Sequence, residues 1–402
     1  MEDDSQDRKP RMRYARYAVI SLAALLVLSL GFAVIPGEQP APAPPTFTDL
    51  ARAAALEDAL ALRAAGLDLA ATAAGDSAAG HPTQAVVTLL TLQARAFLPA
   101  GSPASPSDSP SAPPAPAATS DPTASASPAP AAAPSEVELA KALAASGSRR
   151  LKDAQEADGG MARLLAGAGT AQLLAARQLA EAAGEPGAVT GAATDQADAT
   201  AGSGPLVGSA PTASPADCPF PAPDTTTAPL GSTPGGGPPA GGSLSAESAA
   251  GKTPWAGTAG AALAAVLQAQ QKAAYGYQAA IPRLAAEDAG PASEFLRQHR
   301  AAAEESENRL RLACQLPRPQ PAGYALDADF LSAPATGLGT LEAAALPVYA
   351  DLVALTEGTD RAWALSLLES AVTRTAHWGA DPGPVPGIVL DTAMLPALPA
   401  GG

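Results

Sequence analysis

Two stretches, residues 99–134 and 185–257, decide most of what this chain can become. The first is made of Pro, Ala, Ser and Thr apart from one Gly and two Asp; the second is dominated by Gly, Pro, Ala, Ser and Thr. Segments of this kind carry too little apolar surface to offset the entropy of ordering the backbone, and they read as disordered linkers. Whatever folds must therefore fold between and around them.

The intervening blocks have a single character. Aromatic residues are only 4% and charged residues 16% of the chain, so the ordered parts must be Ala/Leu-rich helices with small interfaces. In residues 46–98, Leu50, Ala53, Ala54 and Leu60 begin one helix at helical spacing, and Pro82 fits the first position of a second. Residues 135–184 open with Ser135 followed three residues later by Glu138, a capping box, and are interrupted at Gly159-Gly160. Both blocks read as helical hairpins.

Residues 258–380 read as four helices. The first carries Leu263, Leu267, Gln270, Ala274, Tyr277, Ile281 and Leu284 on one stripe, with a kink expected at Pro282. The second runs from Pro291 to about Leu316, the third from Leu338 to Glu357 with Pro347 inside it, and the fourth from Asp360 to Trp378. A long crossover with Tyr324 and Phe330 separates the hairpins, which is the connectivity of ferritin-like bundles. Residues 381–402 read as a flexible tail. The N-terminal hairpins show the same order, and the pattern leaves open whether they form a bundle of their own.

The N-terminus supplies a location. Residues 18–35, AVISLAALLVLSLGFAVI, hold no charge and are followed by Pro36. Eighteen helical residues reach about 27 Å, just enough for a hydrocarbon core of roughly 30 Å. Arg8, Lys9, Arg11, Arg13 and Arg16 precede the run, so the positive-inside rule puts the basic segment 1–17 in the cytoplasm and everything after Pro36 outside. The run exceeds a signal-peptide core, and Ala41-Pro42-Ala43 would leave Pro44 as the new N-terminus, so a transmembrane anchor is the reading, with cleavage left open. The expected protein is all-α and single-pass, with its bulk extracytoplasmic.

The segments AAYGYQAAIPRL (273–284), HRAAAEE (299–305), LEAAALPVYADLVAL (341–355) and RAWALSLLESAVTRTAHWGA (361–380) together resemble an actinobacterial ferritin-like family of unknown function. The resemblance rests on Tyr, Pro, His-Arg and Trp positions. It implies a four-helix, ferritin-like fold in an exported protein and no established activity.

A ferritin-like di-iron centre takes a Glu from each of two helices and a Glu-x-x-His from each of the other two. Here Leu296 stands three before His299 and Arg374 three before His377, while Gln270 holds the inward position of the first helix. The set is not that of a metal centre, and no cofactor is expected; His299, Glu342 and Glu369 are what an unfamiliar ligand set would use. Glu342 reads as a helix-terminal charge and Glu369 as a polar edge. Glu305, Glu307, Arg309 and Arg311 pair along a solvated face. His299 lies on the buried stripe with Phe295 and Leu310, and a hydrogen bond across the bundle, with Tyr277 at the same height, is expected.

The remaining signals are sparse. A net charge of −15 argues against nucleic acid, which needs a basic stripe. AESAAGKT, residues 246–253, resembles a phosphate-binding loop but is flanked by a Gly/Pro linker and Pro254. Cys218 and Cys314 are expected to form one disulfide outside the membrane. The expectations are thus a membrane-anchored helical protein acting as a non-catalytic interaction or envelope-scaffold module, with a protein or cell-envelope partner. The alternative is a metal-binding oxidoreductase or metal-storage bundle. Oligomeric state stays open.

Overall fold

The computed structural model describes Tyr17, residues 19–23, Leu25 and residues 44–72, 82–99, 135–189, 258–315 and 319–398. The chain divides into two units, Met1–Thr46 and Phe47–Gly402. In the first, Tyr17, Val19–Ala23 and Leu25 are helical with exposed side chains. The rest of the expected anchor 18–35 lies outside the described residues, as do nearly all of both linkers, the 246–253 loop and Cys218.

The second unit holds the helices α1 (Phe47–Thr72), α2 (Pro82–Phe97), α3 (Glu136–Glu156), α4 (Gly159–Ala182), α5 (Ala259–Ala280), α6 (Ala286–Leu312), α7 (Ala328–Ser332), α8 (Pro334–Leu355) and α9 (Gly358–His377). No strand occurs among the described residues. Successive helices pair as hairpins, α1 with α2, α3 with α4, α5 with α6 and α8 with α9, and the last two hairpins are joined through α5 and α8.

Local chemistry explains most boundaries. Ser135 Oγ accepts the Glu138 backbone N–H at 3.2 Å, closing the first turn of α3. The interruption expected at Gly159-Gly160 falls just before it: Ala157 ends α3, and Asp158 caps α4 by accepting from the Met161 N–H at 3.1 Å. A Cβ on Gly159 would stand 2.1 Å from the Ala354 carbonyl, so only glycine lets α4 start against the end of α8.

Two proline readings and one expected helix start, at Leu338, are corrected. Pro282 does not kink a continuing helix; α5 stops at Ala280 and Pro282 sits in a single 3-10 turn, Ile281–Arg283. α6 starts at Ala286, before Pro291, so only one early backbone bond is forgone, and Glu287 and Asp288 suit the positive end of the helix. α8 starts at Pro334, whose fixed φ suits the first helical position. The short α7 in the crossover puts Phe330 against Gly337 and Gly276.

The N-terminal helices do not stand apart. One apolar core runs from Ala51, Ala55 and Leu90 through Leu143 and Leu165 to Leu263, Leu352 and Leu368. α4 is the shared wall, packed on α3 and also on α8 and α9. Arg361, buried at the start of α9, donates Nη1 to the Ala157 carbonyl at 2.6 Å and the Gln155 carbonyl at 3.1 Å, where the end of α3 favours a cation. The helix among the described residues that is long and apolar enough to cross a membrane is α8, and half of its apolar window is buried in this body.

The segment read as a flexible tail is a strap. Residues 381–398 run without helix across α2, α4 and α8, with Val385 fully buried. Arg95 of α2 donates to the carbonyls of Thr392, Leu395 and Pro396, Gln93 to that of Pro384 at 2.9 Å, and Arg163 of α4 to that of Gly387 at 2.6 Å. Gly387 has φ +83 and lies so near Ala350 that a Cβ would come within 2.3 Å of it.

Candidate functional site

The middle of the C-terminal bundle is polar. α5 contributes Gln270 and Tyr277, α6 His299, α8 Glu342 and Tyr349, and α9 Arg374, with Trp378 just past its end. All seven are buried, five of them to 1% exposure or less, so the cluster is closed to bulk solvent.

A repeat in the sequence underlies it. Gln270 precedes Tyr277 by seven residues on α5, and Glu342 precedes Tyr349 by seven on α8. Seven residues make two turns, so each pair shares one helix face. α5 and α8 open the two hairpins, and the second helix of each supplies a nitrogen base, His299 or Arg374.

Glu342 Oε1 is the hub. It accepts from His299 Nε2, from the Tyr277 hydroxyl and from Arg374 Nε, each at 2.8 Å. Trp378 Nε1 donates to the Tyr277 hydroxyl at 2.7 Å, so indole, phenol and carboxylate form one relay of donors. The Tyr277 ring lies 5.1 Å from the His299 ring, but the two share an acceptor rather than a hydrogen bond.

The charges follow from this geometry. Burial opposes the Glu342 charge, but Arg374 and the His299 hydrogen bond outweigh it, and the carboxyl is lowered to about 2. Burial also opposes the Arg374 charge, and there Glu342 raises the pKa above its ordinary value. His299 is pushed down by burial, against the pull of Glu342. Burial and the Glu342 charge raise both Tyr277 and Tyr349, so both phenols keep their protons.

A neutral histidine ring carries one N–H, and an ionised carboxylate can only accept. The His299 proton therefore belongs on Nε2, and Nδ1 must itself accept. Nδ1 lies 2.7 Å from the Gln270 side-chain oxygen. The two ends of an amide are sterically interchangeable. Turning Gln270 over gives Nδ1 its donor and pairs the amide nitrogen, which otherwise has no partner.

Glu342 thus sits at the buried hub rather than at a helix end as a solvated charge: the turn that carries it faces α5 and α6. Glu369 does not join the cluster; it is half-buried on α9, raised by burial with Arg177 of α4 opposing. His377 is exposed and stacks edge-on against Phe295 and Trp378. Cys314 follows the end of α6 in a left-handed conformation, φ 54, and its expected partner Cys218 lies outside the described residues.

A di-iron set does not fit these residues. The hub holds one carboxylate where such a site needs four, and the guanidinium of Arg374 occupies that carboxylate. Among the described residues no three His, Cys, Asp or Glu side chains are placed to hold a metal ion.

Residues 262–390 match a family described as a domain of unknown function (DUF4439). The match takes in α5 to α9 and the first part of the strap, including Val385 and Gly387, so the domain ends beyond its last helix. All seven residues of the polar centre lie inside it. No curated protein and no solved structure matches the chain.

Sequence periodicity singles out Tyr277, His299 and Gln270 as inward. It misses Arg374 as the partner of Glu342, and it misses Tyr349. The signal that could have found Tyr349 is the seven-residue spacing of a polar residue and a tyrosine that α5 and α8 share.

Proposed function

We propose that this protein is a membrane-anchored, extracytoplasmic module of ferritin-like connectivity that acts by binding, as an interaction or envelope-scaffold component, and not by catalysis. One observation carries the reading. The single carboxylate at the bundle centre is neutralised by Arg374 of the protein's own chain, and its Oε1 is saturated by three donors. A group so placed fixes the register of four helices and is withdrawn from solvent-borne substrates. The two hairpins joined by a crossover support the ferritin-like description, and the uncharged run at residues 18–35 behind a basic segment supports the anchor.

Metal analysis tests the reading against its rival, a metal-binding oxidoreductase or storage bundle. The full chain, purified in detergent, is equilibrated with ferrous or manganous ion and desalted. The expected metal content is far below one per chain and unchanged by His299→Gln or Glu342→Gln. Stoichiometric metal that these variants abolish would establish the rival.

A further inference from the structure

Three polar atoms at the bundle centre have no protein partner: Glu342 Oε2, one end of the Gln270 amide and the Tyr349 hydroxyl. The three residues are 1%, 1% and 0% exposed. Buried polar groups nearly always find a partner, and three lone ones in a single cluster point to a shared guest.

They belong to one neighbourhood. Gln270 and Glu342 are bridged by the His299 ring at 2.7 and 2.8 Å, and the Tyr349 phenol lies within the field of both Glu342 and Arg374. The repeat gives the direction. Tyr277, seven residues after Gln270, crosses from α5 to reach Glu342 on α8. The first half of α5 packs with the second half of α8, and the end of α5 with the start of α8, so the two run antiparallel and the same register is expected to set Tyr349 across from Gln270.

We propose that the bundle centre binds one water molecule, held by Glu342 Oε2, the Gln270 side-chain oxygen and the Tyr349 hydroxyl. The site demands a guest that donates twice and accepts once. With the Gln270 nitrogen on His299 Nδ1, its oxygen is free to accept; Glu342 Oε2 also accepts; the phenol donates. Water satisfies all three, in the usual number of bonds for a buried solvent molecule. An ammonium ion offers the phenol no acceptor, and a metal cation would sit beside the Arg374 guanidinium.

A crystal structure of the full chain, with anomalous data for first-row metals, tests the site. The expected result is a rounded density peak about 2.6–3.1 Å from all three atoms, without anomalous signal. An anomalous peak, a second Arg374 nitrogen on Glu342 Oε2, or empty space where other buried solvent is ordered would each overturn the proposal. In solution, oxygen-17 relaxation dispersion counts long-lived internal waters. Tyr349→Phe keeps the ring in place and removes one of the three bonds, so one internal water should exchange faster or be lost; a dispersion profile unchanged in the folded variant would reject the site.

Discussion

Arg374 of α9 donates its Nε to Glu342 Oε1 of α8 at 2.8 Å, with 5% of one side chain and none of the other exposed. This pair is the electrostatic centre of the C-terminal bundle. A buried pair contributes little net stability over an apolar replacement, but removing one partner strands the other charge.

Single and double replacement should therefore differ sharply. Arg374→Met alone is expected to cost about 3–5 kcal/mol in unfolding free energy, and Glu342→Gln alone a similar amount. The double variant should be less destabilised than the sum, because neither buried charge is then left unpaired. Urea denaturation of the four proteins closes the cycle, and simple additivity would show that the two side chains act independently.

Stability should fall with acid in two steps. His299 and Glu342 both titrate lower in the folded protein than their ordinary values of 6.5 and 4.5, so the unfolded chain binds more protons in each window. Their contributions are present above those ordinary values and are lost as pH falls, His299 first, then Glu342 between 4.5 and about 2. Glu369, raised by burial, acts with the opposite sign, losing its contribution as pH rises. In His299→Gln the decline that begins near pH 6.5 should disappear while the carboxylate step remains. A denaturation series from pH 3 to 8 reads both; an unchanged first step would mean that His299 is charged in the fold.

The strap should contribute measurably to the whole body. Val385 is fully buried beside Gly167, so Val385→Ala is expected to cost about 1–3 kcal/mol. Gly387→Ala should cost at least as much, since it adds left-handed strain to the contact with Ala350. Thermal melts together with limited proteolysis after residue 380 follow both; wild-type melting and protection in both variants would mean that the strap is not anchored through these two residues.

The two cysteines offer a chemical check on the compartment. Thiol titration of the non-reduced, denatured protein should find no free thiol. A Cys218–Cys314 bridge closes a loop of nearly a hundred residues, and the chain-entropy treatment gives such a loop about 4–5 kcal/mol. Two reactive thiols would remove both the bridge and its support for an oxidising location.

The sequence by itself determined that what folds is helical and where several of the inward stripes lie, those of Tyr277 and His299 among them. Those properties are local: helix-forming composition needs no distant partner, and the period of apolar residues marks one face of each helix. The inward placement of His299 and Tyr277 was legible in this way. Only the tertiary structure decided that Glu342 meets Arg374, that α4 joins the N-terminal hairpins to the C-terminal bundle, and that residues 381–398 lie against α2, α4 and α8. Periodicity reports rotation about one helix axis, whereas a contact between helices depends on their relative height and tilt, set by packing over the whole core. The strap has no period at all, because its seat is made by the side chains of α2, α4 and α8 rather than by its own.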